Sequence, residues 1–244
     1  MNAITFYDKN AAQYNLPEHE DFYGRIAQEL LKVIPTDFAP ESILEVGSGT
    51  GFATAQLRES YPQAVITGLE PSPGMLAKAR EKFPDVTWHP KSLNDFAAWE
   101  HFDLIFSSMA AHWLTSKEWQ ALFDIPAKCL ALALPAISDS ADNNPANMLL
   151  KKLVFKLKAK PNWPKKARHL NMLTQQVKAD NFSFKEQFED HRQLAESLYT
   201  RGVLVSLFGN KAEEAKELLQ KDLNSACFSW SFKLITTAGH SRNN

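Results

Sequence analysis

Ser42-Ile-Leu-Glu-Val-Gly-Ser-Gly-Thr-Gly51 is the stretch from which the fold of this chain can be predicted. Its apolar residues form a short run that suits a strand buried on both faces, and a helical pattern follows the last glycine. The three alternate glycines let the backbone bend sharply and approach a ligand without a Cβ in between. The stretch therefore predicts a ligand-binding turn between a buried strand and a helix.

The spacing of the glycines distinguishes between the classes of ligand that such a turn can bind. A dinucleotide-binding turn reads Gly-x-Gly-x-x-Gly, whereas here the third glycine comes one residue early and Phe52 stands in its place. A phosphate loop needs Gly-Lys-Ser/Thr, which does not follow. Glu45 stands just before the first glycine, where a carboxylate would repel phosphate but would suit a cationic amino-acid ligand.

A second buried-strand pattern, Val65-Ile-Thr-Gly-Leu-Glu70, also ends in an acid. It comes about twenty residues after the glycines, where a carboxylate can accept hydrogen bonds from both ribose hydroxyls of a nucleoside. Glu45 and Glu70 together fit S-adenosylmethionine. Two alternatives stay open, a Rossmann-like domain with another nucleotide and a glycine turn that only shapes a loop.

Glu45-Val-Gly-Ser-Gly-Thr-Gly51 and Leu69-Glu-Pro-Ser-Pro-Gly-Met75 resemble the first two motifs of class I S-adenosylmethionine-dependent methyltransferases. The resemblance implies S-adenosyl-L-methionine as the cofactor. The expected cofactor-facing residues are Glu45, Gly47, Ser48, Gly49, Gly51, Glu70, Pro71, Met75, Ser92, Leu93 and Ser107. In the family an aspartate often contacts the adenine amino group where Ser92 stands here, so that contact is weakened or comes from Asn94 or Asp95.

Strands that alternate with helices predict an α/β fold with a Rossmann-like, doubly wound, seven-stranded and mostly parallel sheet. The resemblance implies that the last strand is antiparallel and that a small helical lobe is inserted after strand 5. The later expected elements are a helix over 119–127, strands over 130–136, 182–188 and 228–237, and helices over 193–207 and 211–223. Relatives usually place a Pro-Gly-Gly turn before the fifth strand, whereas here Lys128-Cys129 runs directly into it. The turn must be shorter, or the strand must begin later.

Composition predicts one domain with an appended lobe rather than two equal domains, because 244 residues with 44% hydrophobic side chains can bury one full α/β core. The expected organisation of this single methyltransferase domain, 1–244, has four parts. They are N-terminal lid helices over 1–35, a cofactor-binding core over 40–136, an inserted basic lobe over 139–180, and C-terminal strands and helices over 181–244.

Charge and cysteine usage exclude several classes. The net charge of −1 gives no reason to expect nucleic acid as a partner. Cys129 and Cys227 lie far apart, and the histidines form no pair at metal-ligand spacing, so neither a disulfide framework nor a metal is expected. The chain has no signal-peptide core and no apolar run of about eighteen residues. We therefore expect a soluble cytoplasmic protein without a membrane partner.

Methyl transfer from a sulfonium to an anion needs positioning more than acid–base chemistry. His112 follows the fourth strand and is a candidate for orienting or deprotonating the acceptor; the alternative is a partly buried histidine whose hydrogen bonds are satisfied. Tyr14 is expected to close over the methionine end of the cofactor, as an N-terminal tyrosine often does in relatives. Phe6 and Tyr7 fit equally well as packing for a lid.

A basic run from Lys151 to Arg168 holds eight basic residues and no acidic one. Such a run is usually a solvated face, but the lobe that contains it is expected to overhang the active site. An acidic protein or an anionic substrate would be steered there by charge complementarity. The residues expected to contact such a partner are Lys151, Lys152, Lys156 and Lys158.

Three further stretches narrow the resemblance to the malonyl-[acyl-carrier protein] O-methyltransferases of biotin biosynthesis. They are Ala11-Ala-Gln-Tyr14, Phe106-Ser-Ser-Met-Ala-Ala-His-Trp113 and Leu198-Tyr-Thr-Arg-Gly-Val203. The match is specific in the cofactor half and loose beyond Pro135. It implies a malonyl-loaded acyl carrier protein as the acceptor. Trans-aconitate methyltransferases share the cofactor half, so a small carboxylate substrate is an alternative. A non-catalytic module that binds a nucleotide or a protein is another, favoured by the shortened turn and by Ser92.

Overall fold

The computed structural model describes residues 3–96, 101–136, 145–159, 177–221 and 226–240. Within them, one sheet has the strand order β3-β2-β1-β4-β5-β7-β6. The strands are β1 Ser42–Val46, β2 Val65–Leu69, β3 Thr87–His89, β4 Phe102–Ser108, β5 Ala127–Pro135, β6 Val177–Phe188 and β7 Ala226–His240. Pairing is parallel from β3 through β5, and β7 runs antiparallel to both neighbours. The predicted seven-stranded, mostly parallel sheet with an antiparallel last strand is confirmed.

Helices connect the strands in the alternation expected from the sequence. Of the helices in the described ranges, three precede β1, two lie between β1 and β3, one precedes β5, one follows β5, and three lie between β6 and β7. Their bounds are α1 Ala3–Lys9, α2 Ala11–Tyr14, α3 Pro17–Lys32, α4 Phe52–Ser60, α5 Pro73–Lys82, α6 Ser116–Asp124, α7 Pro145–Lys156, α8 His191–Thr200, α9 Val203–Phe208 and α10 Ala212–Leu219. Short 3₁₀ turns cover Ala111–Trp113 and Gly209–Lys211.

The central strand β1 is buried on both faces, as its apolar run predicts. Ile43 belongs to the core on one face of the sheet, and Leu44 belongs to the core on the other. In its parallel pairing with β2, Val46 lies opposite Leu69, so the carboxyl ends of the two strands meet. The chain continues from β1 to β2 on one side, while β4 pairs with β1 on the other. Such a switch point is where doubly wound sheets leave a crevice for ligands.

Strand β5 begins at Ala127, three residues earlier than expected, so the expectation of a later start was wrong. Thr115 and Glu118 form a capping box that starts α6 at Ser116, and the helix ends at Asp124, just before Ile125-Pro126, because the residue before a proline disfavours the helical conformation. Only residues 125–126 then separate the helix from the strand. The shorter turn that the sequence allowed is therefore the one present.

Two boundaries in the second half also differ from the expectation. β6 begins at Val177, so residues 177–180, assigned to the basic lobe from sequence, lie in the sheet. The helix expected over 193–207 is two helices, because Gly202 between them has a φ of 75°. A left-handed residue ends a helix, and glycine adopts that conformation at little cost.

Candidate functional site

A cavity of about 430 Å³ opens at the carboxyl ends of β1, β2 and β4. Its size is within the usual range for small-molecule sites, roughly 300–1,000 Å³. The residues expected from sequence that line it are Tyr14, Gly47, Ser48, Gly49, Glu70, Pro71, Met75, Ser92 and Leu93. Glu45, Gly51, Ser107 and His112 are not among its lining residues, and neither are the four lysines.

The turn after β1 passes close to its neighbours, which explains its first glycine. Gly47 has a φ of 72°, and a Cβ placed on it would lie 2.2 Å from the Cβ of Ala110. The N–H groups of Gly47 and Ser48 both donate to the Leu69 carbonyl oxygen, at 2.8 and 3.1 Å. The turn is thus fixed against the end of β2. Gly51 lies behind it as the N-cap of α4, with a φ of 90°.

Glu70 is held in one orientation by two backbone groups. Its Oε2 accepts a hydrogen bond from the Gly49 N–H at 2.9 Å, and its Oε1 accepts one from the Ser72 N–H at 2.8 Å. Burial raises the pKa of Glu70 to about 7, although these two hydrogen bonds oppose the shift. Each carboxylate oxygen can accept more than one hydrogen bond. The group can therefore still accept hydrogen bonds from a ligand in the cavity.

Glu45 faces away from the cavity. Its side chain is buried, and its Oε2 accepts a hydrogen bond from the Thr54 Oγ1 of α4 at 2.6 Å. Its Oε1 has no hydrogen-bond partner among the described residues. Burial raises the pKa of Glu45 to about 8, so the carboxyl group is largely protonated at neutral pH. In this arrangement Glu45 ties β1 to α4 beneath the turn.

Two neighbouring serines at the end of β4 have different surroundings. The Ser107 hydroxyl is buried and donates to the Val46 carbonyl oxygen at 2.9 Å, which braces the end of β1. Ser108 lines the cavity, and its hydroxyl has no partner among the described residues; the same holds for Ser48. Adjacent side chains of a strand point to opposite faces of the sheet, so Ser107 and Ser108 cannot both face the cavity. Applying this alternation to the end of β4 could have identified Ser108 as the serine that lines it. Two hydroxyls are thus available to a polar ligand group.

The side of the cavity beyond β3 is lined by Lys91, Ser92, Leu93 and Asn94. The Ser92 hydroxyl donates to Asp95 Oδ2 at 2.8 Å. Leu93 is buried, at 3% exposure. Of the two residues that the sequence offered as substitutes for the missing aspartate, Asn94 therefore lines the cavity, whereas Asp95 is engaged by Ser92.

An aromatic wall closes the opposite side of the cavity. Tyr14 stacks on Tyr23, with ring centroids 5.1 Å apart, and on Phe52, at 5.7 Å. Tyr7 packs edge-on against Tyr14 at 5.5 Å and against Trp113 at 5.9 Å. Burial raises the pKa of Tyr7 and Tyr14 well above the ordinary value and that of Tyr23 to about 12. The phenols are therefore neutral at physiological pH. From sequence, Tyr14 was expected to close over the cofactor and Tyr7 was considered only as packing for a lid, whereas Tyr23 was not expected here.

The helix that carries Tyr7 is latched to α5. The Asp8 carboxylate accepts a hydrogen bond from the Gly74 N–H at 2.7 Å and one from the Ser72 hydroxyl at 3.3 Å. These groups lie at the N-terminus of α5, where a negative charge is favourable. Asp8 thus holds α1 over the cavity, and sequence alone gave no sign of this contact.

His112 lies in the 3₁₀ turn after β4, with 8% of its surface exposed. It lines a separate chamber of about 20 Å³ instead of the main cavity. Tyr7, Tyr23 and Met109 line both spaces and so form a partition between them. The structure therefore places His112 and Tyr14 on different sides of this partition.

The four lysines expected to contact a partner lie on or just after α7. Lys151, Lys152, Lys156 and Lys158 are exposed, whereas Leu150, Leu153 and Leu157 on the other face are buried. Asn147 fixes the helix to β7 by two hydrogen bonds with the Ser229 backbone, at 2.8 and 2.9 Å. Phe155 stands among the lysines with 88% exposure. The part of the basic run beyond residue 159 lies outside the described residues.

Two features of the described residues bear on other classes of site. They contain no group of three or more His, Cys, Asp and Glu side chains able to hold a metal ion. They also contain no helix that is both long and apolar enough to cross a membrane.

Comparison with known proteins identifies the type of domain. The model of a family described as "Methyltransferase domain" matches residues 43–131. A malonyl-[acyl-carrier protein] O-methyltransferase from Anoxybacillus flavithermus is 34% identical over 118 residues, 45% of each chain. A trans-aconitate 2-methyltransferase from Methylobacterium nodulans is 34% identical over 132 residues, 52% of this chain and 50% of that protein. This chain spans about half the length of the curated relatives it matches.

Among solved structures, the YcgJ protein from Bacillus subtilis shares the fold with a TM-score of 0.60 at 12% identity. The match covers 88% of this chain and 98% of that one. The strand order, this likeness and the matched domain agree with a Rossmann-like methyltransferase fold. The matched residues run from β1 into β5 and include the glycine turn, Glu70 and residues 91–94.

Proposed function

We propose that this chain, whose residues 43–131 match a methyltransferase domain, is a class I S-adenosylmethionine-dependent methyltransferase that transfers a methyl group from S-adenosyl-L-methionine to a carboxylate. The observation that carries the proposal is the cavity in which the glycine turn, the oriented Glu70 carboxylate and the aromatic wall meet. Bound there, S-adenosylmethionine supplies an electrophilic methyl group on a positively charged sulfur. The residues of the chain bind and orient both reactants.

The lining residues match the parts of this cofactor. Glu70, which the Gly49 and Ser72 N–H groups hold in one orientation, would accept hydrogen bonds from the ribose hydroxyls. Ser92, Leu93 and Asn94 would contact the adenine. The close turn at Gly47 and Gly49, the Ser48 and Ser108 hydroxyls and Tyr14 would enclose the methionine end, and neutral aromatic rings suit the positive sulfonium.

A carboxylate acceptor explains how the site can act without a general base. A carboxylate oxygen forms the bond to the methyl carbon while the bond from sulfur to that carbon breaks, and the two opposite charges cancel without a proton to remove. Alignment at about 3–3.5 Å is then the main requirement. Tyr7, Met109 and Trp113 are placed to set that alignment at the methionine end. The role we assign to His112, behind the partition, is to support Met109 and the acceptor rather than to remove a proton.

We assign the carboxylate to a malonyl group on an acyl carrier protein. Support comes from the relative in Anoxybacillus flavithermus and from the exposed face of α7, where Lys151, Lys152, Lys156 and Lys158 flank Phe155. A carrier protein with an acidic surface would be steered to this face by charge. The second candidate is a small carboxylate, supported by the trans-aconitate 2-methyltransferase relative.

Replacing Lys151, Lys152, Lys156 and Lys158 by glutamate tests the carrier-protein assignment. We expect the KM for malonyl-carrier protein to rise at least tenfold and to depend less on salt, because surface charges are screened over about 8 Å at physiological ionic strength. The KM for trans-aconitate and the Kd for S-adenosylhomocysteine should change little.

Single variants give the matched control for this experiment. Lys152→Glu on α7 and Lys221→Glu after α10 each reverse one exposed lysine, but only the first lies on the proposed docking face. Initial rates with both acceptors at low and moderate salt separate the candidates. Efficient methylation of trans-aconitate, no turnover of malonyl-carrier protein and no effect of the reversal would show that the basic face is only solvated.

A further inference from the structure

The smaller chamber behind the aromatic wall contains a buried cation. Arg201 lines this chamber, and its side chain is 3% exposed. Its two terminal nitrogens donate to the Glu186 carboxylate at 2.6 and 3.0 Å, and the guanidinium lies 4.1 Å from the centroid of the Phe22 ring. The orientation of the guanidinium is therefore fixed from two sides before any ligand binds.

The third nitrogen of this fixed group differs from the two terminal ones. Among the described residues, Arg201 Nε has no hydrogen-bond acceptor, although it is buried. Buried hydrogen-bond donors are nearly always paired in native proteins, because a buried donor without an acceptor destabilises the fold by about 1–3 kcal/mol. An unpaired N–H of a buried guanidinium at a chamber wall therefore points to a polar group that enters the chamber.

Charge indicates what kind of group this is. Of the described residues that line the main cavity, Lys91 is the only lysine or arginine, and it stands beside Ser92 and Leu93 on the side proposed for adenine. An anionic acceptor must approach the methionine end, next to Gly47, Met109 and Tyr7. Of the described residues that line the adjoining chamber, on the other side of the partition, Arg201 is the only lysine or arginine.

The partition itself has features of a site that changes on binding. Met109 has a φ of 57°, a left-handed conformation that costs a non-glycine residue about 1–2 kcal/mol. Strained residues of this kind cluster at ligand sites. Tyr7 fills the space next to Gly202, where an added Cβ would lie 2.3 Å from the Tyr7 hydroxyl oxygen. The chamber is about the size of one water molecule, so a larger group enters only if one of these side chains moves.

We propose that this chamber is the acceptor subsite: Met109 and Tyr7 move apart to admit the carboxylate to be methylated, and the Nε–H of Arg201 donates a hydrogen bond to it. The inference rests on the proposed function, because it needs a carboxylate acceptor, but it holds for a carrier-bound or a small one. Glu186 keeps the guanidinium oriented and offsets part of its charge, so the subsite holds the carboxylate without trapping it.

Opposite effects of two variants test the subsite. Arg201→Gln removes the donor, and we expect the KM of the carboxylate acceptor to rise roughly ten- to hundredfold, as is typical for a lost hydrogen bond to a charged group. Glu186→Gln keeps a hydrogen-bond acceptor for Arg201 but removes the competing charge, so the KM should stay the same or fall. The Kd for S-adenosylhomocysteine should stay within about twofold in both variants, because neither residue lines the cofactor cavity.

The measurements use malonyl-carrier protein and trans-aconitate as probes, with thermal unfolding followed in parallel. If Arg201 only ties the fold together, the two variants lose stability and activity together, and the subsite is wrong. If Arg201→Gln does not fold, Ser206→Leu fills the chamber without touching the ion pair and should raise the KM alone; an unchanged KM also overturns the inference. A wild type that methylates no carboxylate refutes the proposed function itself, whereas normal turnover by Arg201→Gln refutes only the subsite.

Discussion

At the scale of single residues, two acids that the sequence assigned to one task lie in different environments. Glu45 and Glu70 each follow a buried strand pattern, so both were expected to face the cofactor. Glu70 does line the cavity, whereas Glu45 is turned toward Thr54 on α4. Sequence spacing gives the position of an acid at a strand end, but the path of the following helix decides which way its side chain points. That path depends on packing between distant segments.

The raised pKa of Glu70 predicts that cofactor binding depends on pH. An acid with a pKa of about 7 becomes protonated as pH falls through 7, and a protonated carboxyl group is a weaker acceptor for two ribose hydroxyls. We expect the affinity for S-adenosylhomocysteine to fall several-fold between pH 8 and pH 6 in calorimetric titrations. Glu70→Gln should bind more weakly than the wild type at pH 8 and show a much flatter profile.

Glu45→Gln is the control for this titration, because it removes a buried acid that does not line the cavity. Its binding should keep the pH dependence of the wild type. If the pH dependence is lost in Glu45→Gln but kept in Glu70→Gln, the titrating group is Glu45, and the prediction for Glu70 is wrong.

The glycine turn gives a second prediction at this scale. Gly47→Ala would place a Cβ 2.2 Å from that of Ala110 at a φ of 72°. The turn must then move, so we expect a loss of about 1–3 kcal/mol in stability and at least a tenfold loss in affinity for S-adenosylhomocysteine. Gly209→Ala is the comparison, because its φ is also positive, at 58°, but no atom of the described residues lies within 4 Å of the added Cβ. It should cost stability and leave affinity unchanged.

At the scale of helices and strands, the type of each element was predicted more accurately from the sequence than its boundaries. The start of α6 is set by the capping box of Thr115 and Glu118, and its end at Asp124 is followed by Pro126, directly before β5. The early residues of β6 alternate poorly because this strand lies at the sheet edge and is largely exposed. The division between α8 and α9 follows from one glycine at Gly202. These are local signals that a search for hydrophobic period alone overlooks.

The latch between α1 and α5 predicts how the aromatic wall opens. Asp8→Ala removes the acceptor for the Gly74 N–H and the Ser72 hydroxyl, and loss of a helix cap typically costs about 1 kcal/mol. We expect faster hydrogen exchange in residues 3–14 and a several-fold faster dissociation of S-adenosylhomocysteine. Asp8→Asn, which keeps an oxygen acceptor, should lie between the wild type and Asp8→Ala. Unchanged exchange in Asp8→Ala would mean that packing of Phe6 and Tyr7 alone holds the helix.

At the scale of the whole molecule, the fold was predictable because local and global signals agree. Buried runs alternate with helical patterns, so the parallel part of the sheet follows from the pattern, whereas the antiparallel last strand was implied by the family resemblance. The cofactor half of the site was largely predictable for the same reason, since its residues lie at strand ends. The aromatic wall and the Arg201 chamber were not, because they join α1, α3 and the 3₁₀ turn after β4 with Arg201, which follows α8, across long sequence separations.

An assay of methyl transfer is the most direct test of the proposal that this protein methylates a carboxylate with S-adenosylmethionine. The purified protein is incubated with S-adenosylmethionine labelled in the methyl group and with malonyl-carrier protein or trans-aconitate, and base-labile label in the acceptor is counted. We expect a methyl ester on at least one of these acceptors, formed in proportion to S-adenosylhomocysteine and abolished or strongly reduced by Glu70→Ala and Gly49→Val. Binding of S-adenosylhomocysteine with no label on either carboxylate would contradict the assignment of the acceptor, and no binding at all would contradict the assignment of the cofactor.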